Sequence, residues 1–221
     1  MRARAVVLWT ELGALQAALP TWTRHGADLP GSFRVGLDEP LRESDRHLRL
    51  LGRLLLARAL ARLGSDPLTA LAFDATGRPR LPGDLDPSIS HTAGLACAAV
   101  AIGCRIGVDV ERRQPIEPAV RDRILAPAER RRMARSRDPV GDLLGFWTMK
   151  EAAAKADGRG LQLDPRALAC RPGSVLSAPA VRIGPATYRL ERLHLPAGWI
   201  GHLAHDAARP IELVAEAYSF S

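Results

Sequence analysis

The apolar positions of this chain change their period several times, and each change marks an element. Residues 5–9 (AVVLW) form an unbroken apolar run that predicts a strand. A helix is expected from Glu11 to Leu19, with Thr10 as its cap and Pro20 as its stop. Residues 20–40 are rich in Pro, Gly and Asp and read as loop. From Ser44 to Leu63 the leucines at 48, 51, 55 and 63 recur at helical spacing, and Gly64 supplies a C-terminal stop. A turn-rich passage follows (FDATGRPRLP, 73–82), then a short strand (SIS, 88–90) and a longer apolar strand (LACAAVAI, 95–102). Gly103-Cys104 reads as a turn, so RIGVDVE (105–111) is expected to be the hairpin partner of 95–102. Residues 117–137 and 139–157 read as helices, the second ending at Gly158. The tail holds strand-like runs at 180–184, 187–195, 199–206 and 211–219.

Each half of this order sets one long helix against a small sheet. The expectation is an α+β fold of two similar α/β subdomains in a pseudo-twofold arrangement, each a long helix packed on a small, mostly antiparallel sheet. The division is expected at residues 1–105 and 106–221.

Composition narrows the function. The 221 residues are 47% apolar, enough for a substantial core, and no low-complexity tract or repeat breaks them up. A formal charge of +7 favours an anionic partner: nucleic acid, a phosphorylated ligand or an acidic protein. Aromatic content is only 5%, and no helix-turn-helix, zinc or RNA-binding signature is present, which argues against nucleic acid. No glycine-rich phosphate loop follows a strand, which argues against a nucleotide-dependent kinase or ATPase. No run reaches membrane-spanning length, and Glu11 interrupts the one segment that resembles a signal peptide. Cys97, Cys104 and Cys170 lack metal-ligand spacing and read as reduced thiols, so a cytoplasmic protein is expected. The basic residues are 29 arginines and two lysines, Lys150 and Lys155. A chain that writes Arg nearly everywhere keeps Lys at two neighbouring positions, where a compact, flexible ammonium has a use.

Four short patterns carry chemistry. In IGVDVE (106–111), strand alternation puts Asp109 and Glu111 on one face and Val108 and Val110 on the other. Paired carboxylates repel unless a cation lies between them, and such oxygen ligands suit Mg²⁺. In FWTMKEAAAK (146–155), Trp147, Glu151 and Lys155 share one helical stripe, with Lys150 about 100° round from Glu151. In SISHTAG (88–94), Ser90 and His91 sit at a strand end before a Gly turn, a place to hold an anion or a ribose hydroxyl. In GRP (77–79), Arg78 lies in a tight turn. Each has an ordinary explanation taken singly: a wet strand face, a surface ion pair worth about 0.3–0.5 kcal/mol, a turn histidine, a turn arginine.

Taken together and in order, they resemble the 4'-phosphopantetheinyl transferase family, in its larger Sfp-type members. That family carries G-[IV]-D-x-E and, about forty residues on, [FW]-[SCT]-x-K-E-[AS]-x-x-K. Here GVDVE (107–111) and WTMKEAAAK (147–155) are separated by 35 residues. GRP stands for the family's GKP, ISH occurs at 89–91, and GRGL (158–161) stands where GKGL is usual. The likeness covers roughly residues 44 to 165.

The resemblance implies a Mg²⁺-dependent transfer of phosphopantetheine from coenzyme A to a serine of an acyl or peptidyl carrier protein. Mn²⁺ can substitute for Mg²⁺. Asp109, Glu111 and Glu151 would hold the metal. Glu151 would be the base, directly or through a water, unless it serves only as a ligand. Lys155 and Lys150 would steady the phosphates, Lys155 more directly. Arg78, Ser90 and His91 would take the nucleotide end, His91 near the ribose 3'-phosphate. The family's usual Arg four residues ahead of its helix Gly is Leu48 here, with Arg49 beside it, so Arg49 and Arg42 are named for the 3'-phosphate. The arginines between Arg121 and Arg137 would dock an acidic carrier protein. The alternatives are a basic nucleic-acid-binding protein and an inactive scaffold that binds coenzyme A.

Overall fold

The computed structural model describes residues 3–12, 42–65, 70–75, 77–171, 178–206 and 210–220. It divides into two compact units, residues 1–104 with 210–221, and residues 105–209.

The first unit holds β1 (Ala3–Glu11), α1 (Glu43–Arg62), the short pair β2 (Ala72–Phe73) and β3 (Pro79–Arg80), β4 (Leu85–Thr92) and β5 (Leu95–Ile102). Its main sheet has the order β11-β1-β5-β4, where β11 is Ile211–Ala217 from the end of the chain. β11 runs parallel to β1, from Ala3↔Ile211 to Trp9↔Ala217, and the other pairings are antiparallel. The leucines of α1, among them Leu48, Leu51, Leu55 and Leu60, form one buried cluster with Val6, Leu8, Ala98 and Val100. Alanine-rich β5 gives α1 a smooth surface to lie on. Gly52 lets the helix approach β4 closely, since a β-carbon there would come within 2.6 Å of Ile89 Cγ2.

The second unit starts with β6 (Ile106–Arg112), continues through α2 (Pro118–Ile124), α3 (Pro127–Met133) and α4 (Pro139–Asp157), and ends with β7 (Ala169–Arg171), β8 (Ala180–Ile183), β9 (Ala186–Arg192) and β10 (Trp199–Asp206). The sheet order is β6-β10-β9-β8-β7, all antiparallel. Asp138 caps α4 by accepting a hydrogen bond from the Gly141 amide, and Gly158 ends it in the left-handed conformation. The α+β class holds, with one helix of 20 residues and one of 19, each on its own sheet.

Several expectations are corrected. β6 pairs with β10 rather than β5, because both edges of β5 are already taken by β1 and β4. Thr10 and Glu11 belong to β1, opposite Ala96 and Leu95, so Thr10 caps no helix; residues 13–19 lie outside the described residues. The helix expected over 117–137 is two helices, each with Pro at its first position. Leu125 and Ala126 are extended between them, because Pro127 disfavours helical backbone in the residue before it. The last strand belongs to the first unit, so a division into 1–105 and 106–221 misplaces the tail. Among the described residues, no helix is long and apolar enough to cross a membrane.

Candidate functional site

β6 and α4 build the densest chemistry of the second unit. Val108 and Val110 are buried on one face of β6, which turns Gly107, Asp109 and Glu111 toward α4. The glycine has a steric cause: a β-carbon at 107 would collide with the Ala152 carbonyl and the Ala156 amide nitrogen. Gly107 therefore lets α4 settle onto the strand and brings the next two acids under its Trp147–Glu151–Lys155 stripe.

The contacts follow. Lys155 Nζ donates to Asp109 Oδ1 at 2.6 Å and to the Val108 carbonyl at 3.0 Å. Trp147 Nε1 donates to Glu111 Oε1 at 3.0 Å. Glu151 is 8% exposed and shares this neighbourhood. Its burial, and then the charge of Asp109, raise its carboxyl to about 7; Lys155 opposes this and Glu111 adds to it. Three acids, one ammonium and one indole thus meet where a strand and a helix lie side by side. Among the described residues, no three His, Cys, Asp or Glu side chains form a ready-made metal cage. Asp109 is turned to Lys155 and Glu111 to Trp147.

The profile of the 4'-phosphopantetheinyl transferase superfamily matches residues 105–199, and that of the 4'-phosphopantetheinyl transferase N-terminal domain matches residues 50–101. The chain belongs to this superfamily. It is 31% identical over 127 residues to a 4'-phosphopantetheinyl transferase of Bacillus subtilis, the match covering 55% of this chain and 56% of that one. It is 28% identical over the same length to 4'-phosphopantetheinyl transferase Sfp of Bacillus subtilis strain 168, with the same coverage. A third similarity, 58% over 41 residues, is to a holo-[acyl-carrier-protein] synthase of Thiobacillus denitrificans, covering 19% of this chain and 31% of that one. The chain spans about half the length of the curated relatives it matches.

Against this superfamily's motifs, Lys150 departs from expectation. It is fully buried, its Nζ 2.5 Å from Glu129 Oε2 and 2.9 Å from the Ile124 carbonyl. Glu129 Oε2 also accepts from the Ala126 amide at 2.8 Å. The ammonium joins the end of α2 to the start of α3, and with no exposed surface it is not presented to a phosphate. The structure thus corrects its placement among the ligand-binding residues.

The remaining expected residues belong to the first unit. Arg78 is buried, and its Nη2 donates to Asp86 Oδ1 and Oδ2 at 2.9 and 2.8 Å, so its charge is already matched. Ser90 is buried opposite Cys97 on β4, while His91 is exposed opposite Ala96. Arg42 is exposed at the start of α1, and Arg49 lies half-buried on that helix.

Two contributors escaped the sequence reading. Trp147 was legible as a member of the stripe but carried no role. His202 stands opposite Asp109 in the β6–β10 ladder, and its Nδ1 is 2.8 Å from Thr148 Oγ1. Burial, with Arg192 nearby, holds its imidazole down to about 4, so it is neutral at pH 7. Its distance along the chain from either motif hid it.

The arginine-rich segment is α2 and α3. Ile116, Leu125, Met133 and Leu143 line a cavity of about 380 Å³ there, with Arg121 and Arg130 at its margin. Arg130 Nη2 donates to the Asp122 carbonyl at 2.7 Å.

Proposed function

We propose that this chain transfers 4'-phosphopantetheine from coenzyme A to a serine of an acyl or peptidyl carrier protein, releasing adenosine 3',5'-bisphosphate. The observation that carries this reading is the meeting of Asp109, Glu111 and Glu151 beneath Lys155. Membership of the superfamily supports it, as do relatives whose names state transfer of this group.

The donor set fits a hard divalent cation. All three groups are carboxylates, burial together with repulsion from Asp109 and Glu111 raises Glu151, and an ammonium already stands against one of them. Asp109, Glu111 and Glu151 would hold Mg²⁺, with Mn²⁺ able to replace it. When bound, such an ion offsets the charge that builds on the diphosphate as its bond breaks.

The chain's own residues do the rest. The serine oxygen bonds to the β-phosphorus while the bond from that phosphorus to the oxygen bridging to the α-phosphate breaks. Glu151, buried yet with an affinity for protons near neutrality, takes the serine proton directly or through a water. Lys155 supplies positive charge to the phosphates. Ser90 and His91, with Arg49 and Arg42, serve the nucleotide end; Arg78 acts through Asp86, shaping the turn that precedes β4. Arg121 and its neighbours up to Arg137 receive the acidic carrier, speeding encounter more than they deepen affinity.

Incubation with coenzyme A, Mg²⁺ and a panel of apo-carrier proteins tests this. Intact mass should show a gain of about 340 Da on the carrier, the mass of the transferred group. Coenzyme A binding with no such gain on any carrier would instead identify an inactive scaffold.

A further inference from the structure

Lys155 does something in this structure that the transfer reaction alone does not require. Its Nζ is bonded to Asp109 Oδ1 at 2.6 Å and to the Val108 carbonyl at 3.0 Å, while the Asp109 side chain is only 7% exposed. The lysine side chain keeps 27% of its surface in solvent, so it reaches this carboxylate from the open side.

We propose that Lys155 is an internal counter-cation for Asp109, seated where a divalent ion must bind, and that metal entry displaces it from this carboxylate. The inference rests on the reading of Asp109, Glu111 and Glu151 as metal ligands.

Three physical points carry it. First, a carboxylate this buried is costly without a positive neighbour, and Lys155 supplies one at hydrogen-bond distance. Second, an ammonium and a divalent ion on the same carboxylate oxygen repel each other strongly in a half-buried site, so occupancy by one works against the other. Third, the residue is lysine in a chain with 29 arginines. A guanidinium would grip Asp109 through two parallel hydrogen bonds and resist removal, whereas an ammonium on a four-carbon stem can swing away and keep its charge nearby. The displaced ammonium would then be free to meet the incoming phosphates. One side chain would serve as placeholder first and ligand contact second.

The test is Mn²⁺ titration of the full chain without coenzyme A, read by the electron paramagnetic resonance signal of free Mn²⁺. Wild type, Lys155→Met, Lys155→Arg and Asp109→Asn are compared. Removing the competing charge should tighten Mn²⁺ binding on the order of tenfold in Lys155→Met. Lys155→Arg should bind more weakly than wild type, and Asp109→Asn should lose binding. Thermal melts supply a second readout: Lys155→Met should melt lower than wild type without metal and gain more from added Mn²⁺. If Lys155→Met binds Mn²⁺ no tighter than wild type while Asp109→Asn abolishes binding, the displacement is overturned and the metal site stands. If neither wild type nor Lys155→Met binds at millimolar Mn²⁺, the acids are not a metal site and both readings fall.

Discussion

The two lysines of this chain lie five residues apart on one helix, and each bonds a carboxylate at about the same distance. Their surroundings oppose each other. Lys150 has no exposed surface, and its ammonium is divided between Glu129 and the Ile124 carbonyl, where it fastens α2 and α3 to α4. Lys155 reaches its acid from solvent, beside two further carboxylates. Five residues of helix amount to about 500°, so the two side chains point roughly 140° apart. The difference separates a charge used as a rivet from a charge held ready. It also bears on why the second is a lysine in an arginine-rich chain: the proposed role of Lys155 needs a side chain that can move.

The comparison breaks most visibly on the Lys155 side. Glu151→Ala should lower transfer roughly a thousandfold, while the melting temperature without metal stays level or rises, since a repelling charge has gone. Transfer rate by intact mass, beside a thermal melt, checks both halves. Wild-type turnover in Mg²⁺ would remove Glu151 from the chemistry.

On the Lys150 side the effect should fall on stability. Lys150→Met leaves Glu129 buried without its cation and should cost about 3–5 kcal/mol. The double change Lys150→Met with Glu129→Leu should restore most of that in a urea titration, because an apolar pair replaces an ionic one. If the single change were silent, the pair would not be fastening α3.

A pH titration sharpens the contrast. The folded state holds the Glu151 proton up to about 7, against an ordinary value of 4.5. Folding therefore binds protons between these values, and stability falls as pH rises from 4.5 to 7. The loss should be about 2–3 kcal/mol in metal-free buffer. Glu151→Gln should flatten that slope, and saturating Mg²⁺ should reduce it. Denaturant midpoints across pH 4 to 8 measure all three.

The smallest effect concerns the indole. Trp147→Phe keeps the ring and removes the bond to Glu111 Oε1. A lost hydrogen bond to a charged acceptor costs about 1–2 kcal/mol, or roughly tenfold in Mn²⁺ affinity. An unchanged dissociation constant would show that the indole only packs.

What the sequence made legible follows from short-range periodicity. The span of α4, the length of β5, the alternation on β6 and the stripe of Trp147, Glu151 and Lys155 all depend on neighbours within two turns or a few strand residues. The rest depended on partners far along the chain. β10, more than eighty residues after β6, replaced the adjacent β5 as its partner. The depth of Lys150 was invisible because a helical wheel reports direction but not what covers it, and its cover is α2 and α3. Asp86 as the match for Arg78 was hidden by a turn whose geometry spacing does not fix. One miss was avoidable: Pro127 already marked the break between α2 and α3. The glycine of GVDVE was legible as motif but not as cause, which needed the collision with the α4 backbone.

The parallel pairing of β11 with β1 sets an order on biosynthesis. Residues 3–9 are made well before their partner strand, 211–217, which follows only after the whole second unit has been synthesised. Until then β1 presents a bare edge, a template on which another nascent chain could align. A stop codon placed just before Pro210 should consequently harm the unit that contains β1 rather than the unit beside the cut.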